Sequence, residues 1–319
     1  MFQELTIDLE RSPDDRWHLT QEQCRQAREL LTSYRNDLGL SQDIAEFLST
    51  AAKDLVRPDH WSEMESLSTA LDLPMTDVAL CNFYYDAMKV VLGCTAFAVD
   101  TGDAIFHARN LDWWTENAAL ARYTSVSHFI GGPAGPFSTI GWPGFVGAFS
   151  GIAPGRFAVT LNAVLSLEPA QPATPIVLLL RTVLEEARSF DEALAFLSEA
   201  RLPCDCLLLL TGTRLSEMAV IERTPTRYAV RHGKDGFVCV TNDYQRLNID
   251  SGEATSELLA TSCHRFQRVE ALIRNGLPRD VESCFSYLSD PSVKMHITVQ
   301  QMVFRAATGE YWIKIPGSQ

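Results

Sequence analysis

At Cys94 the hydrophobic period of this 319-residue chain changes, and that change limits the folds open to it. Up to about residue 90 the apolar residues recur at helical spacing. Thr20 followed by Gln23 fits a capping box ahead of QCRQARELLTSYRNDLG, and Gly39 is placed to end that helix. Ser41 starts a second segment, SQDIAEFLSTAAKDLV, that Pro58 is expected to stop; Trp61–Leu73 and Thr76–Val90 supply two more. From Cys94 onward the pattern is that of strands. TAFAVD, a TGD turn and AIFHARN form a hairpin, with further strand candidates at 125–130, 145–150 and 156–162. The stretch GGPAGPFSTIGWPG, crowded with Gly and Pro, reads as an ordered loop over a site. Helices are expected at about 174–187 and 190–200, and strands at 205–211, 218–223, 227–232 and 237–241. Helices at about 255–275 and 280–289 then precede a terminal hairpin, ITVQQMVFRAATGEYWIKI.

Each sheet must bury a face, so strands grouped on either side of helical pairs predict two stacked sheets covered by helices. The expected fold class is α+β, an αββα four-layer sandwich with an N-terminal helical segment over 1–93 and a second segment over 94–319. A net charge of −13 would repel a phosphate backbone, which excludes nucleic acid as a partner. No basic region followed by an apolar stretch starts the chain, and nowhere do 18 apolar residues run uninterrupted, so it reads as cytoplasmic. Its eight cysteines show no even framework and are expected to be free thiols; Cys204 and Cys206 form a C-x-C without a second ligand pair, so no metal is expected there.

The passage GCTAFAVDTGDAIFHARNLDWW, residues 93–114, carries the chemistry. A small residue precedes Cys94, and the hairpin returns Arg109 and Asp112 beside the start of its first strand. That arrangement suits a nucleophile at a chain terminus. Cysteine attacks as thiolate, which nearby positive charge promotes, and a free α-amine of pKa about 8 serves as the local base that other cysteine hydrolases take from histidine. His107 is therefore expected to pack or hydrogen-bond structurally.

Several passages in this order resemble the N-terminal-nucleophile amidases of the acid ceramidase and N-acylethanolamine-hydrolysing acid amidase group, related to choloylglycine hydrolases and penicillin acylases. They are the DVALCNFYYD helix, the Cys94-Thr95 start, the H-x-R-N-x-D run from His107 to Asp112, GFVGAFSGIAPGRFAVTLN, LLRTVLEEARSFDEALAFL, VTNDYQR at 240–246 and TVQQMVFRAATGEYW. The resemblance implies self-cleavage of the Gly93–Cys94 bond, with Cys94 as nucleophile in cleavage and in turnover. Arg109 and Asp112 would orient thiol and amine. Asn242 would stabilise the oxyanion, Asn162 would line the site, and Arg265 would be a further arginine near the nucleophile. It also implies that the two fragments stay associated, that no cofactor is needed, and that the substrate is a small N-acyl amide met in transient contact with a membrane surface. Ala163 stands where ceramidase and acid-amidase members commonly carry Glu, and Thr95-Ala96 stands for the usual Thr-Ser.

Blander readings accompany these. A lone cysteine is usually a buried small hydrophobe, and Asn242 could cap a turn. Arg109 and Asp112 could be a surface ion pair. Trp113, Trp114, Phe137, Trp142 and Phe145 are candidates either for core packing or for an acyl-chain pocket. Bile-salt or penicillin amidase, acyltransferase, and an unprocessed amphiphile-binding protein remain as rival functions.

Overall fold

The computed structural model describes residues 2–39, 41–88, 92–113, 118–249 and 260–316. Five helices, α1 (Gln21–Leu38), α2 (Gln42–Lys53), α3 (Pro58–Leu71), α4 (Met75–Asn82) and α5 (Tyr84–Met88), make up most of the N-terminal segment. The Thr20 hydroxyl accepts from the N–H of Gln23 while the Gln23 side chain accepts from the N–H of Thr20. At the other end Gly39 takes a left-handed φ of 58°. The capping box and glycine stop read from the sequence are both present.

The segment is not wholly helical. Gln3–Asp8 forms a strand, β1, with Leu5 and Ile7 buried. This corrects the all-helical expectation: β1 is too short for periodicity to declare, and it is held by a parallel ladder to β4 (Ser125–Ile130) formed far along the chain. Pro58 also differs from expectation. It begins α3 at the first helical position, where a missing N–H costs nothing, while α2 ends at Lys53.

Beyond it lie two sheets. The larger has the order β1-β4-β5-β6-β7-β8-β9-β10, with β5 at Phe137–Gly141, β6 at Ser150–Ala153, β7 at Phe157–Asn162, β8 at Cys206–Thr211, β9 at Met218–Arg223 and β10 at Tyr228–His232. The smaller has the order β11-β2-β3-β12-β13, with β2 at Leu92–Asp100, β3 at Ile105–Trp113, β11 at Phe237–Val240, β12 at Thr298–Arg305 and β13 at Glu310–Lys314. The strand expected at 145–150 is instead β6, beginning at Ser150. The Gly- and Pro-rich stretch also contains β5, whose residues are all buried, so it is a loop only in part. A short α6 (Ala119–Arg122), α7 (Ile176–Glu186), α8 (Phe190–Glu199), α9 (Ser262–Asn275) and α10 (Val281–Leu288) complete the described helices.

Strand alternation builds the layers. Ala96 and Ala98 on β2 meet Leu207, Leu209 and Val220 of the larger sheet, whereas Phe97 and Val99 meet Val269 and Ile273 of α9. On β8, Leu208 and Leu210 face outward to the cluster containing α7 and α8. The result is the expected αββα stacking.

The N-terminal segment is bound to the rest through charge as well as through β1. Glu63, buried on α3, accepts from Nη1 of Arg16 (2.7 Å), Nε1 of Trp17 (2.9 Å) and Nη2 of Arg181 on α7 (3.3 Å). Arg181 also donates Nε to Glu185 at 2.6 Å and lies 3.9 Å from the centre of the Phe129 ring. Removing one member of a buried ion cluster leaves the others uncompensated. Glu63→Gln is therefore expected to cost about 3–5 kcal/mol in a urea unfolding titration, with a loss below about 1 kcal/mol refuting the cluster's role.

Candidate active site

Cys94 sits near the start of β2, paired with Leu111 of β3, and Gly93 is paired with Asp112. Its side chain shares the inter-sheet face with Ala96, and therefore with Arg109, which is opposite Ala96. Arg109 is fully buried between the sheets. Its Nη2 donates to Leu161 O (2.6 Å) and lies 3.3 Å from Cys94 Sγ; its Nη1 donates to Phe149 O (2.8 Å) and to the Ser150 hydroxyl. No carboxylate among the described residues lies within ion-pair distance of it. Carbonyls and a hydroxyl hold the guanidinium beside the sulfur.

Two further side chains grip the backbone of Cys94. Asn242 Oδ1 accepts from the Cys94 N–H at 3.2 Å, and Arg265 Nη1 donates to the Cys94 carbonyl at 2.7 Å. Arg265 also donates to Thr95 Oγ1 (2.9 Å) and, through Nη2, to Asn242 Oδ1 (2.8 Å). Although Arg265 lies 23 residues beyond Asn242, α9 places the two in contact. Sulfur, nitrogen and carbonyl of one residue thus have three separate polar partners.

Asp112 projects from the opposite face of the smaller sheet, with Thr95 and Asn110. Its Oδ1 accepts from the Thr298 hydroxyl (2.6 Å), while Oδ2 is buried with no hydrogen-bond partner among the described residues. Burial pushes its carboxyl above the ordinary range, against the pull of Arg265, the Thr298 hydroxyl and Arg109. Arg109 and Asp112 are therefore neither exposed nor paired as a surface bridge. They lie on different faces of the sheet: Arg109 reaches the thiol, and Asp112 stands opposite Gly93 in register.

Asn242 Nδ2 donates to Ala163 O (2.8 Å) in the uncut chain, and its N–H donates to Ser262 Oγ (2.8 Å), so it is not a simple turn cap. Asn162 ties the end of β7 to the residues before Asn242, through Nδ2 to Thr241 O (2.9 Å). His107 is structural: its ring nitrogens meet Thr160 and Thr211 hydroxyls at 2.8 and 3.1 Å, and burial pulls its pKa down to about 3. Cys204 donates its thiol to Asp86 (3.5 Å), and no group of three or more potential metal ligands occurs among the described residues.

Trp113, Trp142 and Phe145 do line one pocket together, joined by Tyr34, Tyr84 and Phe149. Trp113 is its hub, stacked on Tyr34 at 5.6 Å and edge-on to Trp142 at 5.7 Å. Cys94 does not line this pocket; the two are linked through Phe149, whose carbonyl accepts from the Arg109 guanidinium that reaches the thiol. Its cavity of about 20 Å³ holds about one water, so any longer guest requires these rings to part. Phe137 belongs to the core, stacked on Phe129 at 4.5 Å; Trp114 lies outside the described residues. Thr298, Ser262 and the tyrosines of α1 and α5 escaped the sequence reading. Only the YY pair within DVALCNFYYD gave a signal, being more aromatic than a short helix end needs.

A family model described as acyl-coenzyme A:6-aminopenicillanic acid acyl-transferase matches residues 99–304. Acid ceramidase of Balaenoptera acutorostrata scammoni is 24% identical over 249 residues, and N-acylethanolamine-hydrolyzing acid amidase of Mus musculus is 27% identical over 235. Each alignment covers 68% of this chain but 62% of the relative, so the chain spans less than two thirds of their length. A solved Caenorhabditis elegans ortholog of N-acylethanolamine-hydrolyzing acid amidase superposes with a TM-score of 0.56 at 20% identity, covering 69% of this chain and all of that one. A mutant conjugated bile acid hydrolase from Clostridium perfringens gives 0.51 at 14% identity over 71% and 90%. At such identities these structures speak for the shared fold. No helix among the described residues is long and apolar enough to cross a membrane.

The raised carboxyl of Asp112 has a measurable consequence. Its unfolded form ionises first, so native stability is favoured at low pH and declines as pH climbs from about 3.9 through the raised native value, then levels. Asp112→Asn keeps an acceptor for Thr298 and removes that titration. The variant is expected to gain stability relative to the parent across that pH window; a constant difference between the two melting curves refutes it.

Proposed function

Because the family match takes in well over half of its length, the chain belongs to the acyl-coenzyme A:6-aminopenicillanic acid acyl-transferase family, and we propose that it is a self-processing cysteine amidohydrolase of linear amide bonds. The observation that carries this reading is the triple grip on Cys94: Arg109 at the sulfur, Asn242 at the nitrogen and Arg265 at the carbonyl. A structural cysteine would still need partners for its N–H and C=O, but not a guanidinium at its sulfur.

In processing, the Cys94 sulfur attacks the Gly93 carbonyl carbon; the S–C bond forms, the C–N bond breaks, and the nitrogen of Cys94 leaves as an amine. Water then hydrolyses the thioester and yields fragments 1–93 and 94–319. The β1–β4 ladder and the Glu63–Arg181 contact support their staying together. In turnover, the freed α-amine takes the thiol proton, the thiolate adds to the substrate carbonyl, and the tetrahedral oxyanion collapses to a thioester with loss of the amine; water releases the acid. Asn242 Nδ2, leaving Ala163 O, would donate to that oxyanion. Asp112, opposite the position vacated by Gly93, would hold the new α-amine. No metal or organic cofactor enters these steps.

The names of the relatives point to N-acyl lipid amides, an N-acylethanolamine or a ceramide-like molecule, as substrate. The aromatic pocket around Trp113 and Trp142 supports an acyl chain as the recognised part. The family description favours one second reading, transfer of the acyl group to an amine in place of water. Adding a competing amine to the assay separates the two by product.

Cys94→Ala is expected to remain a single uncut chain without activity by mass spectrometry, since one sulfur performs both reactions; a fragment beginning at residue 94 in that variant would rule the scheme out. Across N-acylethanolamines of rising chain length, kcat/KM is expected to climb by up to about fourfold per methylene, the equivalent of about 0.8 kcal/mol for each CH₂ buried. Trp142→Ala should flatten that rise. A flat parent series with preference for a taurine or β-lactam amine would transfer the chain to the bile-salt or penicillin amidase reading.

A further inference from the structure

Glu222 is a fully buried carboxylate on β9 that the reaction above does not use. Its Oε1 accepts from the N–H of Gln245 (3.0 Å) and from Nε of Arg231 (2.8 Å), and its Oε2 accepts from the N–H groups of Arg246 and Leu247 (both 2.9 Å). Three consecutive backbone donors and one guanidinium therefore converge on a single side chain. The segment they belong to runs directly on from Asn242. Gln245 and Arg246 are exposed, and the segment's apolar anchor is the half-buried Tyr244, packed against the inter-sheet cluster. The Tyr244 hydroxyl adds one more tie to the same strand, donating to Arg223 O at 2.9 Å.

Arg231 extends the grip. From β10, the edge of the larger sheet, its Nη2 donates to Cys239 O of β11 at 3.0 Å. β11 is the edge of the smaller sheet, pairs with β2 through Val240 and Ala96, and leads straight into Thr241 and Asn242. The residues before and after Asn242 are thus both referred to Glu222, one side through Arg231 and the other through backbone N–H groups.

We propose that Glu222 is a positioning residue for the reaction at Cys94: it clamps the segment 241–247 between the two sheets and thereby aims the Asn242 side chain at the reacting carbonyl. The proposal rests on the role given to Asn242 above. Glu222 has no hydrogen bond to Cys94, and the route proposed here runs through Asn242.

A double-mutant cycle in the full chain tests this, with Glu222→Gln, Asn242→Ala and the pair, read by kcat and KM on an N-acylethanolamine and by hydrogen exchange at residues 245–247. Glu222→Gln is expected to lower kcat roughly ten- to a hundredfold with KM little changed, as for a misaimed catalytic group. Exchange at 245–247 should quicken while β8 and β9 stay protected. In the Asn242→Ala background the glutamine should cost less than about twofold more, because the group it aims is already gone. Glu222→Asp, which keeps the charge, should restore part of the rate, and it carries the same cycle if the glutamine variant does not accumulate folded. Equal losses in both backgrounds, or a loosened segment with kcat intact, would overturn the clamp and leave Asn242's role standing. An unchanged kcat in Asn242→Ala would sink that role and the clamp with it.

Discussion

Arg109 is the constraint around which the molecule is arranged. A guanidinium with no exposure, between two sheets and without a carboxylate at ion-pair distance among the described residues, is costly unless hydrogen bonds offset it; here Nη1 and Nη2 are partnered while Nε has no partner among the described residues. Its partners come from β2, from β7 and from the turn entering β6, so the larger and smaller sheets must stack in one register to satisfy it. One member of that set is Cys94 Sγ. The interaction that fixes the stacking therefore also fixes where the sulfur lies and which charge it meets.

What was legible in the sequence follows from range. The capping box at Thr20, the hairpin that returns Arg109 and Asp112 to Cys94, and the pairs β8–β9 and β9–β10 are local, joining residues that follow closely in the chain. β1 was hidden because six residues give too little periodicity and its partner is more than a hundred positions away. β5 was hidden by the glycines and prolines flanking it, although Phe137–Gly141 is buried throughout. Thr298, Ser262 and Glu222 carry no motif at all. They matter through what the folded register places opposite them: Asp112, the N–H of Asn242 and three successive amides.

The N-terminal segment illustrates the same point at a larger scale. Read as a helical prelude, it looks separable from the sheets. Yet it gives the larger sheet its edge strand, sets Glu63 between Arg16 and Arg181, and walls the aromatic pocket with Tyr34 and Tyr84. Any cut before Cys94 would thus divide the chain but not the core.

Strand parity explains why the chemistry would need that cut. Within a strand, a side chain faces one side of the sheet and its N–H belongs to the backbone, so Arg109 and Asp112, on opposite faces, cannot both serve the side chain of Cys94. At a chain terminus the restriction lifts. Were the bond to Gly93 cut as proposed, the nitrogen of Cys94 would become an amine free to turn toward the face of Asp112, while the sulfur would stay with Arg109. The buried Oδ2 of Asp112, without a partner among the described residues, would then have a cation to accept from, opposing the pull that burial exerts against its ionised form. On this view the uncut chain already holds both halves of the site, separated by the thickness of a single strand, and breaking one peptide bond lets one residue reach them both.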